Sequence, residues 1–192
     1  MSKSKSRSYS PPLSMGVSGL VTPLPPVTLV LGGARSGKSR YAEGLLDLHP
    51  GRRTYLATAE VLDDEMAARV QAHRDRRDSD WKTVEEPLAL AATLKAETEQ
   101  GAAVLVDCLT LWLGNLLGEA REVEAEIDGL IAAIGQFGGP VVFVSNEVGL
   151  GIVPENTLAR QFRDHAGILH QRLAEKADRV VFVVAGLPMS LK

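Results

Sequence analysis

The chain has 192 residues, which suits one domain with a buried core and leaves little room for two. Its hydrophobic content of 45% and charged content of 23% are ordinary for a globular protein, and its net charge of -3 lacks the basic excess of a general nucleic-acid binder. No apolar run approaches the roughly 20 residues that span a bilayer, so we expect no stable membrane insertion.

Residues 1–27 differ in composition from the rest of the chain. They contain seven serines and five prolines, and their charged residues, Lys3, Lys5 and Arg7, are all basic. This charge of +3 leaves -6 for residues 28–192. We interpret 1–27 as a disordered Ser/Pro-rich tail without the apolar core of a secretory signal, within which Met15 is a rival start, and 28–192 as one folded domain.

Five short apolar runs in the domain predict strands. They are nearly continuous in Val, Leu and Ile, which is typical of strands buried on both faces of a parallel sheet. The runs are Thr28–Leu31, Thr54–Thr58, Ala103–Asp107, Val141–Ser145 and Val180–Val184. Helix-compatible stretches separate them, at 38–48, 62–77, 87–99, 119–136 and 155–176, the last beginning as early as Pro154. This alternation predicts a doubly wound α/β fold with right-handed crossovers.

The segment after the first predicted strand matches the phosphate-loop pattern G-x-x-x-x-G-K-[ST]. It reads Gly32-Gly33-Ala34-Arg35-Ser36-Gly37-Lys38-Ser39. The glycines allow backbone N–H groups to approach phosphate oxygens, and the next helix adds its positive N-terminus. We expect Lys38 to reach the β- and γ-phosphates and the Ser39 hydroxyl to bind Mg²⁺. The domain is therefore predicted to be a P-loop NTPase of the RecA-like kind, with a mainly parallel sheet.

Two neighbouring residues end the third predicted strand. Asp107 lies at its tip, where an acid in a P-loop protein holds Mg²⁺ directly or through water, so we expect a second metal ligand there. Cys108 is the only cysteine of the chain. It forms no internal disulfide, which suits the cytoplasm, and its apolar surroundings in sequence favour a small buried hydrophobic residue.

The predicted helix 62–77 carries a histidine among arginines. Four of its residues share one stripe, namely Leu62, Met66, Val70 and His73. Arg69, Arg76 and Arg77 lie within about one turn of His73. Guanidinium groups around a histidine suit an anion such as a triphosphate. The spacing alone nevertheless favours a partly buried structural histidine on a solvated basic helix.

Four stretches carry a resemblance to a known family. They are the phosphate loop; Asp63–Arg69 continuing to His73-Arg74; Trp81–Glu85; and Asn146–Pro154 followed by Arg160–Asp164. With them the chain resembles the bifunctional adenosylcobinamide kinase / adenosylcobinamide-phosphate guanylyltransferase family of cobalamin assembly, from about residue 28 to the C-terminus. The phosphate loop alone is unspecific, whereas the Asn-Glu-Val-Gly stretch with the downstream Phe-Arg-Asp is specific.

The resemblance implies two reactions at one nucleotide site. A nucleoside triphosphate, ATP or GTP, first phosphorylates the aminopropanol hydroxyl of adenosylcobinamide. GTP then guanylylates an enzyme histidine, which falls on His73, and the GMP passes to the cobinamide phosphate. The catalytic residues implied are His73 and Lys38. The resemblance thus reverses the structural interpretation of His73 that spacing favours, and it also implies a homo-oligomer, a trimer.

The resemblance further implies the nucleotide contacts. Besides the phosphate loop they are Ala57, Thr58, Ala59, Arg74, Asp75, Arg76, Arg77, Glu85 and Asp107. The chain departs from the expected pattern at His170-Gln171, where Asn-Gln is expected.

Two other functions fit the same motifs. A P-loop small-molecule kinase without guanylyl transfer would keep Lys38, Ser39 and Asp107 and make His73 structural. A regulatory nucleotide-binding module would need only the phosphate loop. Against the second, the Gly-rich connection Asn146–Pro154 follows a strand at the sheet edge where α/β proteins bind substrates.

Overall fold

The computed structural model describes residues 23–59, 80–99 and 101–192. Residues 1–22 of the predicted tail and the whole predicted helix 62–77 lie outside the described residues. The strands are β1 Val27–Gly32, β2 Arg53–Ala57, β3 Trp81–Glu85, β4 Ala103–Asp107, β5 Val141–Asn146, β6 Arg179–Val184 and β7 Leu187–Ser190. The helices are α1 Lys38–Leu46, α2 Leu90–Thr98, α3 Leu109–Gly118, α4 Val123–Ala133 and α5 Thr157–Lys176, with a 3₁₀ turn at Ile134–Gln136.

The described strands form one seven-stranded sheet in the order β3-β2-β4-β5-β1-β6-β7. Neighbouring strands pair in parallel except for the antiparallel pair β6–β7. The predicted α/β, mainly parallel fold is therefore confirmed, and all five predicted strands are present to within one residue at each end. The first begins at Val27, one residue inside the segment interpreted as tail.

Two strands were not predicted, and both lie at the edges of the sheet. β3 contains charged residues and is largely open to solvent, although Trp81 packs against the core under the guanidinium of Arg53, 5.3 Å from its ring centre. β7 contains Pro188, which is tolerated at an edge because the outer side of such a strand needs no N–H donor. An edge strand has a neighbouring strand on only one side and is more open to solvent, so it lacks the continuous apolar runs of the central strands.

Helix α3 was also missed, because it is apolar on every side and shows no amphipathic stripe. Leu109, Trp112, Leu113 and Leu116 are fully or almost fully buried. This apolar helix thus packs as part of the core.

The last helix begins later than predicted. Its first residue is Thr157, not Pro154, because the Asn156 side chain accepts a hydrogen bond from the Ala159 N–H at 3.1 Å and caps the helix.

Two apolar clusters cover the two faces of the sheet. The first joins the sheet to α2, α3, α4 and α5, and the second joins it to α1. Helices on both faces make the sheet doubly wound, so its carboxyl-end edge is the open place for ligands. No described helix is long and apolar enough to cross a membrane.

Candidate functional site

The phosphate loop connects β1 to α1, as predicted, and its geometry favours glycine at Gly32 and Gly37. A Cβ on Gly32 would lie 2.6 Å from the backbone oxygen of Val183 on the neighbouring strand. Gly37 has a φ of 94°, a conformation that side chains disfavour. A larger residue at Gly32 would therefore force the loop or its neighbour to shift, and one at Gly37 would strain the backbone.

The turn between β6 and β7 packs against the phosphate loop. The N–H of Gly186 donates to the carbonyl of Ser36 at 2.8 Å. A Cβ on Gly37 would lie 3.3 Å from the Cα of Gly186, so the two backbones are in close contact. This contact could not be predicted from sequence, because it joins segments about 150 residues apart with no local pattern between them.

Lys38 is the first residue of α1 and is only 8% exposed. Its Nζ donates to the carbonyl of Gly33 at 3.2 Å, so the ammonium group is folded back over the loop. Gly37 caps the helix without a side chain, and the first turn carries no acidic residue. The positive end of the helix is therefore not neutralised by a side chain of its own first turn and is suited to bind phosphate.

The residues expected to hold Mg²⁺ lie at the same edge of the sheet. Asp107 ends β4, which pairs with β5, and β5 pairs with β1 just before the phosphate loop. Tyr55 donates its hydroxyl proton to Asp107 Oδ2 at 3.2 Å. One carboxylate and the Ser39 hydroxyl are oxygen ligands of the kind that Mg²⁺ uses together with water and substrate phosphates. The donor set thus fits the ion.

The predicted nucleotide-contact segment Ala57-Thr58-Ala59 lies at this edge and also joins strand ends. The Thr58 hydroxyl donates to the carbonyl of Cys108 at 2.7 Å and accepts from its N–H at 2.9 Å. The Asn115 amide donates to the carbonyls of Thr58 at 2.7 Å and Pro87 at 3.1 Å. Thr58 and Asn115 therefore tie β2, β4 and α3 together, a role that sequence analysis missed.

Two other predicted residues can be located. Glu85 ends β3 opposite Ala57 and is exposed at the carboxyl-end edge. Cys108 is 5% exposed, within the second apolar cluster, as predicted. Burial, with the charge of Asp107, raises the pKa of its thiol, so Cys108 is an inert core residue.

The residues predicted for guanylyl transfer are not among those that the structure describes. His73, Arg74, Asp75, Arg76 and Arg77 lie outside the described residues. Their roles stay predictions from sequence.

His170, the departure from the family pattern, is buried in a polar cluster beside the site. Its Nε2 lies 2.7 Å from the Ser145 hydroxyl, and its Nδ1 lies 3.9 Å from Glu147 Oε2. Burial lowers the pKa of His170 below its ordinary value of 6.5, and the Glu147 charge opposes this only in part. The imidazole is therefore neutral near pH 7.

Acid should destabilise the protein through His170. Below pH 6.5 the unfolded chain binds a proton at this residue while the folded chain resists it, so the free energy of unfolding falls as pH falls. The loss is at most about 1.4 kcal/mol per pH unit. His170→Asn removes the titration, so its melting temperature should fall less than the wild-type value between pH 6.5 and about pH 5. Parallel curves for the two proteins would contradict the assignment.

The sequence of this chain matches a protein family and individual proteins from two bacteria. A family model described as cobinamide kinase / cobinamide phosphate guanyltransferase matches residues 28–191. The bifunctional adenosylcobalamin biosynthesis protein CobP of Pseudomonas aeruginosa is 52% identical over 166 residues, which are 85% of this chain and 96% of that protein. The bifunctional adenosylcobalamin biosynthesis protein CobU of Salmonella typhimurium is 46% identical over 179 residues and is matched over 98% of its length.

Solved structures show the same fold at low identity. A protein of Pyrococcus horikoshii superposes with a TM-score of 0.55 at 10% identity, covering 90% of this chain and 88% of that one. A prototypical ATPase from the type III secretion system of pathogenic bacteria gives a TM-score of 0.51 at 11% identity, covering 87% and 57%. These likenesses concern the fold alone. The match to the family model and the identity to full-length relatives establish that this chain belongs to the cobinamide kinase / cobinamide phosphate guanyltransferase family.

Proposed function

We propose that this chain phosphorylates adenosylcobinamide with a nucleoside triphosphate and then transfers GMP from GTP, through a histidine intermediate, to give adenosyl-GDP-cobinamide. The observation that carries the proposal is a complete phosphate loop that leads into the N-terminus of α1. It lies in a chain that matches its family from residue 28 to 191. The names of its relatives support both activities.

The described residues support distinct roles in the kinase step. The backbone of the phosphate loop and the N-terminus of α1 bind the phosphates, and Lys38 places a positive charge beside them. Ser39 and Asp107 would hold Mg²⁺, which when bound supplies positive charge that offsets the developing charge on the phosphates. Glu85 and the turn after β2 lie at the same edge, where the rest of the nucleotide would bind.

The guanylyl step is proposed for His73 on the resemblance. A neutral imidazole is a competent nucleophile near pH 7, and the arginines close to His73 in sequence would stabilise the charge of the α-phosphoryl group in transfer. The imidazole nitrogen forms a bond to the α-phosphorus as the bond to pyrophosphate breaks. The cobinamide phosphate then displaces the histidine, which leaves the enzyme unchanged.

Product analysis separates this function from its rivals. We expect wild-type protein with Mg²⁺, GTP and adenosylcobinamide to give first the phosphate ester and then the GDP derivative, identified by mass spectrometry. Formation of the phosphate ester alone, even after long incubation with GTP, would favour the simple kinase. Binding of nucleotide without either product would favour a regulatory module.

We also propose that the enzyme acts in the cytoplasm as a homotrimer. The single cysteine supports the location, and the family resemblance supports the oligomeric state.

A further inference from the structure

Glu147 lies beside the start of the phosphate loop. Asn146, the last residue of β5, is opposite Gly32 in the parallel pair of strands. The N–H of Glu147 donates to the carbonyl of Gly32 at 3.0 Å. This places a carboxyl-bearing residue directly next to the loop that binds the triphosphate, at the edge of the sheet where substrates bind.

The carboxylate of Glu147 is held in place but remains open to a ligand. Oε1 accepts a hydrogen bond from the N–H of Gly149. Oε2 lies 3.9 Å from Nδ1 of His170, which is itself fixed by the Ser145 hydroxyl. The Glu147 side chain keeps 22% of its surface exposed, whereas that of His170 keeps 8%. The neutral imidazole is beyond hydrogen-bond distance of Oε2, so it forms neither a hydrogen bond nor a full ion pair with the carboxylate, which is held by the Gly149 N–H.

The connection that follows Glu147 presents apolar side chains to solvent. Leu150 is 82% exposed, Ile152 is 97% exposed and Val153 is 59% exposed. Arg160 anchors the far end of the connection to α5 by donating to the carbonyl of Pro154 at 3.0 Å. Exposed apolar residues next to a polar site are typical of a binding surface for a large organic ligand. A corrinoid carrying a terminal hydroxyl has this chemistry.

We propose that Glu147 is a catalytic residue of the kinase step, the group that receives the proton of the acceptor hydroxyl. The hydroxyl oxygen forms a bond to the γ-phosphorus as the bond from that phosphorus to the β–γ bridging oxygen breaks. The electron pair leaves with the nucleoside diphosphate, and the hydroxyl proton passes to the Glu147 carboxylate and then to water. This inference rests on the proposed function.

Glu147→Gln tests the inference, because glutamine keeps an oxygen for the Gly149 N–H but cannot take the proton. We expect the turnover number for phosphorylation of adenosylcobinamide to fall about 100-fold or more, the usual contribution of a general base. Guanylyl transfer, assayed separately with adenosylcobinamide phosphate and GTP, should continue at the wild-type rate, since its acceptor is already an ionised phosphate. The melting temperature should stay close to that of the wild type.

Glu155→Gln is the matched control, since Glu155 is an exposed carboxylate on the same connection and should keep wild-type kinase activity. A Glu147→Gln protein with wild-type kinase turnover would overturn the inference. Equal loss of both reactions with a lowered melting temperature would also overturn it, because that result indicates a structural role. If the wild type forms no phosphate ester, the proposed function itself fails, whereas the other two results leave it standing.

Discussion

Replacing Lys38 with alanine is expected to reduce the rate of both reactions by at least about 100-fold, the usual effect of removing one fixed donor that stabilises charge developing in the transition state. It should also weaken triphosphate binding strongly. Lys38 is 8% exposed and its ammonium group lies 3.2 Å from the Gly33 carbonyl, over the loop that we expect to bind the phosphates. No other side chain in the loop carries a buried cation, because Arg35 is exposed. The lost charge therefore has no local substitute.

Calorimetric titration with a non-hydrolysable triphosphate analogue, together with both activity assays, measures this effect. Lys95→Ala is the matched control, because Lys95 is an exposed lysine on α2 whose Nζ donates to the Gln136 side-chain oxygen at 3.1 Å. We expect the control to bind the analogue as the wild type does. Tight binding and normal phosphorylation by Lys38→Ala would contradict the assignment of the phosphate loop.

Replacing His73 with alanine is expected to abolish GDP-cobinamide formation, by at least about 10⁴-fold, because removal of a covalent nucleophile leaves no equivalent route. Phosphorylation of adenosylcobinamide should be largely spared, since γ-phosphoryl transfer to a hydroxyl needs no covalent enzyme intermediate. The two assays on one variant thus separate the reactions. Loss of both to the same extent would indicate that His73 shapes the nucleotide site instead of acting as the nucleophile.

The central strands were predictable because burial on both faces leaves a continuous apolar run. The run Ala103–Asp107 matches β4 at both ends. The edge strands β3 and β7 escaped prediction because one side of each lacks a neighbouring strand, which permits Lys82 and Pro188. Helix α3 was not predicted because its sequence is apolar on nearly every side, which removes the 3.6-residue periodicity of an amphipathic helix.

The candidate site also has parts that were predictable from the sequence and parts that were not. The positions of the phosphate loop after β1 and of Asp107 at the end of β4 were predictable, because each follows from a short local sequence pattern. The supports of the site were not, because they join distant segments: Gly186 contacts Ser36, and Asn115 contacts Thr58. The position of His170 was noted only as a departure from a pattern, and its contact with Ser145 required the packing of α5 on the sheet.

Covalent labelling by GTP tests the central claim most directly. Wild-type protein incubated with Mg²⁺ and GTP labelled at the α-phosphate should become labelled on His73, located by peptide mapping. The bond should be labile in acid and stable in base, as expected of a phosphoramidate and unlike a serine phosphoester. His73→Ala should not be labelled, whereas His49→Ala and His165→Ala should be labelled as the wild type is. Wild-type protein that stays unlabelled while it phosphorylates adenosylcobinamide, or a label that persists in His73→Ala, would contradict the account.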